Sequence, residues 1–213
     1  MMFAAMAVGC LTASAQNEVG QITLQPKVGI NIANITGAKT AVTNTSVNVD
    51  ANYMIDFAAG AEAEYGLTEK ISLAAGLIYS RQGCDFGEFN TTILGVKSGW
   101  DKNQTKLAYL NIPIVANYYF AKGIAFKAGI QPGFLLSKKK KIDAYGSNLS
   151  FETEIKEDLE TFDISIPLGI SYESDNVVID GRYNLGVTKI NKKGNESYKN
   201  SVIQFTIGYK FTL

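Results

Sequence analysis

The stretch Tyr53-Met-Ile-Asp56-Phe57-Ala-Ala-Gly60-Ala-Glu62-Ala-Glu64-Tyr65 alternates with a period of two. Tyr53, Ile55, Phe57, Ala59, Ala61, Ala63 and Tyr65 fall on one face, and Met54, Asp56, Ala58, Gly60, Glu62 and Glu64 on the other. Successive side chains of a strand point to opposite faces, so this spacing predicts a strand with one apolar side. The same period recurs in segments 22–33, 71–82, 107–120, 124–137, 162–172, 177–188 and 201–213. In 201–213, for example, Ile203, Phe205, Ile207, Tyr209, Phe211 and Leu213 oppose Gln204, Thr206, Gly208, Lys210 and Thr212. Helical spacing is hard to find.

The links between these eight segments fall into two classes, strictly in turn. Residues 66–70, 121–123 and 173–176 are short enough for hairpin turns. Residues 36–51, 83–105, 138–159 and 189–200 are long, polar and rich in Asn, Thr, Lys and Gly. Short turns on one rim and long loops on the other are how outer-membrane barrels are built. The expected fold is therefore all-β, an eight-stranded antiparallel up-and-down transmembrane β-barrel. Segments of about 9–11 residues cross a bilayer when tilted, and every segment here is long enough.

A soluble ligand-binding barrel has a similar strand count, so the two faces must decide. There the cavity is apolar and the outside is wet. Here one face is dominated by Gly, Ser, Asn and charged residues, which suits a narrow lumen, and the bulkier Ile, Leu, Phe and Tyr face suits lipid. Tyr65, Tyr118, Phe126, Tyr172, Tyr209 and Phe211 all gather beside the short-turn rim, as an interface girdle would. The charged inner positions are Lys27, Asp56, Glu62, Glu64, Lys127, Asp163, Asp180, Arg182 and Lys210. Their signs are mixed, and eight strands enclose only enough space for side chains, so these charges are expected to pair across the lumen and plug it.

Composition narrows the chemistry. The 213 residues carry 20 Lys+Arg and 20 Asp+Glu, which argues against a nucleic-acid partner needing a basic face. The chain has no His, hence no imidazole base, no Ser-His-Asp or Cys-His pair and no His-ligated metal. Two cysteines make neither a disulfide scaffold nor a four-cysteine zinc site. No cofactor and no enzymatic activity are expected. Mean hydropathy is +0.01, because two opposite faces average out.

Residues 1–15 are an uncharged apolar run ending in Ala13-Ser-Ala15, the pattern of a secretory signal peptide, although a basic start is missing. Residues 16–213 would then form the barrel domain, located in the outer membrane, with Cys84 as the remaining thiol. A lipoprotein site at Ala7-Val-Gly-Cys10 fits less well than the Ala-Ser-Ala site. The run is shorter than the ~20 residues of a spanning helix.

Six stretches together resemble the PorT-like outer-membrane β-barrel proteins of Bacteroidetes. They are Gly29-Ile-Asn31-Ile-Ala-Asn34, Phe57-Ala-Ala-Gly60-Ala-Glu62-Ala-Glu64-Tyr65, Leu77-Ile-Tyr79-Ser80-Arg-Gln82-Gly83, Tyr109-Leu-Asn-Ile-Pro113-Ile, Lys127-Ala-Gly129-Ile-Gln-Pro132-Gly133-Phe-Leu-Leu-Ser137 and Asp180-Gly-Arg182-Tyr183-Asn184-Leu-Gly186-Val-Thr188. The resemblance implies an eight-stranded barrel in the outer membrane and little about activity. Barrels of this type often end in Phe, whereas this chain ends Tyr209-Lys-Phe211-Thr-Leu213. The terminal alternation fits insertion by the barrel-assembly machinery.

Other motifs have plainer explanations. Asp56, Glu62 and Glu64 could be imagined as acid–base carboxylates, but all three point inward from one strand, where ion pairing is the simpler role. Lys138-Lys-Lys-Lys141 invites a lipopolysaccharide-phosphate reading, yet Glu152, Glu154, Glu157, Asp158 and Glu160 of the same loop offset it. The expected partners are outer-membrane lipid, lipopolysaccharide and an unidentified external ligand. A narrow transport channel and a soluble periplasmic ligand-binding barrel are the alternatives.

Overall fold

The alternating segments become strands in the computed structural model, which describes residues 18–41, 48–93, 96–146, 149–155, 159–192 and 196–213. The leader expected at residues 1–15, and Glu157 and Asp158, lie outside the described residues. In chain order the strands are β1 (Ile22–Thr36), β2 (Lys39–Ala41), β3 (Asn48–Asp50), β4 (Met54–Gly66), β5 (Ile71–Asp85), β6 (Phe89–Ile93) and β7 (Val96–Asn111). They continue with β8 (Ile114–Ala121), β9 (Ile124–Ala144), β10 (Ser150–Glu154), β11 (Phe162–Ser174), β12 (Val177–Gly186), β13 (Lys199–Tyr209) and β14 (Phe211–Thr212).

Antiparallel pairing runs from β1 through β4 and β5 to β7 and β8, then through β9, β11 and β12 to β13. The last wall returns to the first, with Ile30 opposite Phe205 and Thr23 opposite Thr212. Closure leaves no unpaired sheet edge within the ring, as a bilayer requires. Two of the eight walls are interrupted. β7 and β8 are one wall broken at Ile112–Pro113, because proline has no N–H to give the ladder. The break stays shut: the Gly76 amide donates to the Pro113 carbonyl at 3.1 Å and the Ile112 amide to the Pro132 carbonyl at 2.8 Å. β13 and β14 form the other, broken at Lys210.

The short turns follow their sequences. Asp175 and Asn176 both have positive φ, 49° and 67°, as a two-residue hairpin turn of matching twist demands. Gly123, at φ 71°, serves the turn between β8 and β9.

Burial is inverted relative to a water-soluble protein. Lys27, Glu62 and Arg182 are only 3%, 2% and 4% exposed, while Phe126 and Ile207 on the outer surface are 54% and 52% exposed. The girdle residues Tyr65, Tyr118, Phe126, Tyr172, Tyr209 and Phe211 all face outward. Tyr118 sits opposite Phe126, and the rings of Tyr209 and Phe211 meet at 4.9 Å. A second aromatic belt, absent from the sequence reading, lies nearer the long-loop end: Phe57 contacts Tyr79 at 5.8 Å and Phe134 contacts Phe162 at 5.4 Å. From Phe126 to Phe134 on one strand, the two belts are about 20 Å apart along the barrel axis at usual rise and tilt.

Much of what the sequence marks as long loop is strand. β5 runs on to Asp85, β7 and β9 continue pairing as far as Trp100 and Ala144, and β6 and β10 flank them. Together β6, β7, β9 and β10 form a four-stranded blade that extends beyond the ring. The period of two disappears there because both faces carry polar side chains, Asn103 and Thr105 on one and Lys102, Gln104 and Lys106 on the other. β2 and β3 make a separate small hairpin. Ile35, Cys84, Phe86, Leu107, Tyr109 and Ile190 form a buried apolar cluster at the mouth.

Candidate functional site

Inward-facing parity brings one group of charges together from four walls. The Lys27 ammonium on β1 donates to Glu62 of β4 at 2.6 Å and lies 3.8 Å from Asp180 of β12. Lys127, on β9, donates to Asp180 at 2.6 Å. The Arg182 guanidinium bridges both carboxylates, at 2.9 Å to Glu62 and 2.7 Å to Asp180. Because β13 and β1 separate β12 from β4 in the ring, the Arg182–Glu62 pair crosses the lumen.

A second group lies nearer the short turns. Lys210 is 3.2 Å from Glu64 and donates to Glu173 at 2.5 Å. Tyr119 donates its hydroxyl proton to Glu64 at 2.7 Å, Ser72 donates to the same carboxylate, and Asn117 donates to Ser72 at 3.0 Å. The first group holds three cations and two carboxylates, the second two carboxylates and one cation. Their opposite excesses cancel within the wall, which limits the cost of keeping ions away from water.

Towards the mouth the lumen is neutral and hydrogen-bonded. Asn31 donates to Ser80 at 2.9 Å and accepts from Gln204 at 2.9 Å. Asp163 stands apart from both charge groups, accepting from Thr188 at 2.5 Å and Asn200 at 2.7 Å. The adjoining cavity, lined by Gln131, Asn184 and Asn200 among others, measures about 10 Å³, the threshold for a single water.

Of the nine charged positions read as lumenal, seven therefore join two braces: Lys27, Glu62, Lys127, Asp180 and Arg182 in one, Glu64 and Lys210 in the other. Asp163 is buried separately. Asp56 pairs with Arg81 at 3.3 Å towards the outer surface. The three carboxylates considered for acid–base work are thus divided among different partners. Glu173 and Tyr119 are absent from the sequence reading. The sequence marks Glu173 as the start of a short turn, but β11 runs to Ser174 and keeps the parity of Asp163, Ser165 and Ser171. Tyr119 shares the parity of Asn117, a signal masked by its apolar ring.

Outside the membrane span, Cys84 is fully buried, and desolvation pushes its thiol up to about 12. In the blade, Lys139 donates to Glu152 at 3.0 Å and holds that carboxyl below its usual range. The lysine run does not form one patch: Lys139 faces out, whereas Lys140 lines an apolar cavity at the mouth with Ile35 and Cys84.

A closed antiparallel ring with a polar interior and an apolar exterior defines a transmembrane β-barrel. The family of the outer membrane protein beta-barrel domain matches residues 14–192, and the chain belongs to it. It is an outer-membrane protein. Among solved structures it is similar to Ail, the attachment invasion locus protein of Yersinia pestis, at 12% identity and TM-score 0.48, covering 91% of this chain and 100% of that one. It is also similar to Neisserial surface protein A (13%, TM-score 0.47, 89% and 97% covered). Similarity extends to OprG from Pseudomonas aeruginosa (11%, TM-score 0.44, 92% and 98% covered). No curated protein gives a significant match.

Proposed function

We propose that this is a non-enzymatic barrel with a closed lumen, whose blade and loops outside the cell supply a binding role. The observation that carries this reading is the Arg182–Glu62 bridge, braced by Lys27, Asp180 and Lys127, which occupies the cross-section of the ring. Parting such buried charges for a passing solute would leave each without a partner in a low-dielectric space. The blade, by contrast, offers β10 as a strand with every residue exposed and, among the described residues, paired only with β9. Residues 1–15 direct export and residues 16–213 form the mature barrel, inserted by the barrel-assembly machinery and bathed in lipopolysaccharide. The ordered motifs support a kinship with the PorT-like barrels of Bacteroidetes.

Two measurements test this together. In planar bilayers the purified protein should give no stable single-channel steps, and surface capture by intact protein should be lost when residues 138–159 are excised. Stable conductance would favour the channel reading instead.

A further inference from the structure

The outer wall carries a second charged cluster, distinct from the lumen. Arg81 on β5, Lys106 on β7 and Lys139 on β9 share one sector, with Lys106 opposite Lys139 and Arg81 opposite Ala108 in register. They lie just beyond Tyr79 and Leu136, which face lipid. Together with Ser137 and the carboxylate of Glu152 they line a polar recess of about 380 Å³. The Arg81 guanidinium lies 5.5 Å from the centre of the Phe57 ring, which fixes its position. Asp56 offsets Arg81 and Glu152 offsets Lys139, at 3.3 Å and 3.0 Å. Lys106 has no ion pair among the described residues and, with Lys139 and Arg81, helps hold the Glu152 carboxyl below its usual range, so three cations surround that one carboxylate.

We propose that this recess binds the phosphate groups of an outer-leaflet glycolipid. It rests on the outer-membrane orientation proposed above, with the blade outside. Three features converge. The recess lies at the upper aromatic belt, where headgroups begin. Its cations come from three adjacent walls and are held at fixed spacing by the ladder. Directly below, Tyr79, Phe134 and Leu136 offer an apolar surface along which acyl chains lie while the phosphate meets Lys106. A soluble anion would gain nothing from that apolar surface.

The test uses the full mature protein, refolded in detergent and offered diphosphorylated lipid A, its fully dephosphorylated form, or inorganic phosphate. Lipid retained through size exclusion is counted by mass spectrometry. Folding of each variant is checked by heat-modifiable gel mobility and closure by bilayer conductance, so failure of the site is distinguishable from failure of the barrel. The triple variant R81Q/K106Q/K139Q should lower lipid A retention about tenfold or more, as loss of charge-assisted contacts predicts. Lys106→Gln alone should lower it about threefold, and Lys122→Gln at the opposite rim should leave it unchanged. Removing the lipid's phosphates should match the triple variant. Equal retention of the phosphorylated and dephosphorylated lipid, or by wild type and triple variant, would overturn the proposal. Complete displacement by millimolar inorganic phosphate would do the same, because it would make the recess a free-anion site.

Discussion

At the scale of single residues, Cys84 shows how the mouth differs from the lumen below it. Arg81 marks the outer edge of the lipid-facing surface on β5, and Cys84 lies beyond it, packed with Ile35 and Leu107. With the thiol pushed up to about 12, roughly one in ten thousand is ionised at pH 8. The thiolate is the reacting form, so the folded protein should not react with Ellman's reagent at pH 8, whereas the denatured chain should react fully. Fast labelling of the folded barrel would show that the mouth opens. The linkage has a definite sign: the folded state holds this proton more tightly than the unfolded chain. Stability from this group is complete below the ordinary value of 9.0 and falls as pH rises from there towards 12.

At the scale of elements, the turns and interruptions decide register. Asp175 and Asn176 both occupy the left-handed region, which a β-branched side chain resists. Asn176→Val should destabilise the barrel by about 1–2 kcal/mol. Urea titration in lipid vesicles, followed by the heat-modifiable band, reads this directly. An unchanged midpoint would mean the hairpin holds its register from the strands alone. The element scale is also where sequence reading succeeded and failed. The walls were legible because lipid on one side and lumen on the other impose a chemical alternation, seen in Phe57 against Glu62. The blade was not, because Lys102, Gln104 and Lys106 on one face alternate with Asn103 and Thr105 on the other, which are polar too. Glu173 was lost to a boundary error of two residues, and Tyr119 because a ring can serve as a hydrogen-bond donor. Which inward charge meets which was not legible either: parity places Asp56 and Glu62 on one face, but only the ring order brings Arg182 to Glu62.

At the scale of the whole molecule, the lumenal charges reach beyond neighbouring walls, since Arg182 of β12 meets Glu62 of β4 with β13 and β1 between them. The ladder already fixes adjacent strands, so the Arg182–Glu62 crossing adds rigidity to the cross-section. Glu62→Gln would leave Lys27 and Arg182 with one buried carboxylate among three cations. It should cost about 3 kcal/mol or more, the usual loss when one partner of a buried pair is removed. A urea midpoint within error of wild type would show that water reaches the lumen and softens the charge.

Thr23 lies beside Thr212, so the first and last walls of the ring meet at a single seam. The first wall to be synthesised cannot acquire its second neighbour until the last has been delivered. Until then β1 and the unfinished sheet carry open edges and an uncovered apolar surface, a state prone to aggregation. Closure is thus a contact of nearly maximal sequence separation, inherently slow to form. A chain built this way reaches its final shape in one late step, when that seam pairs.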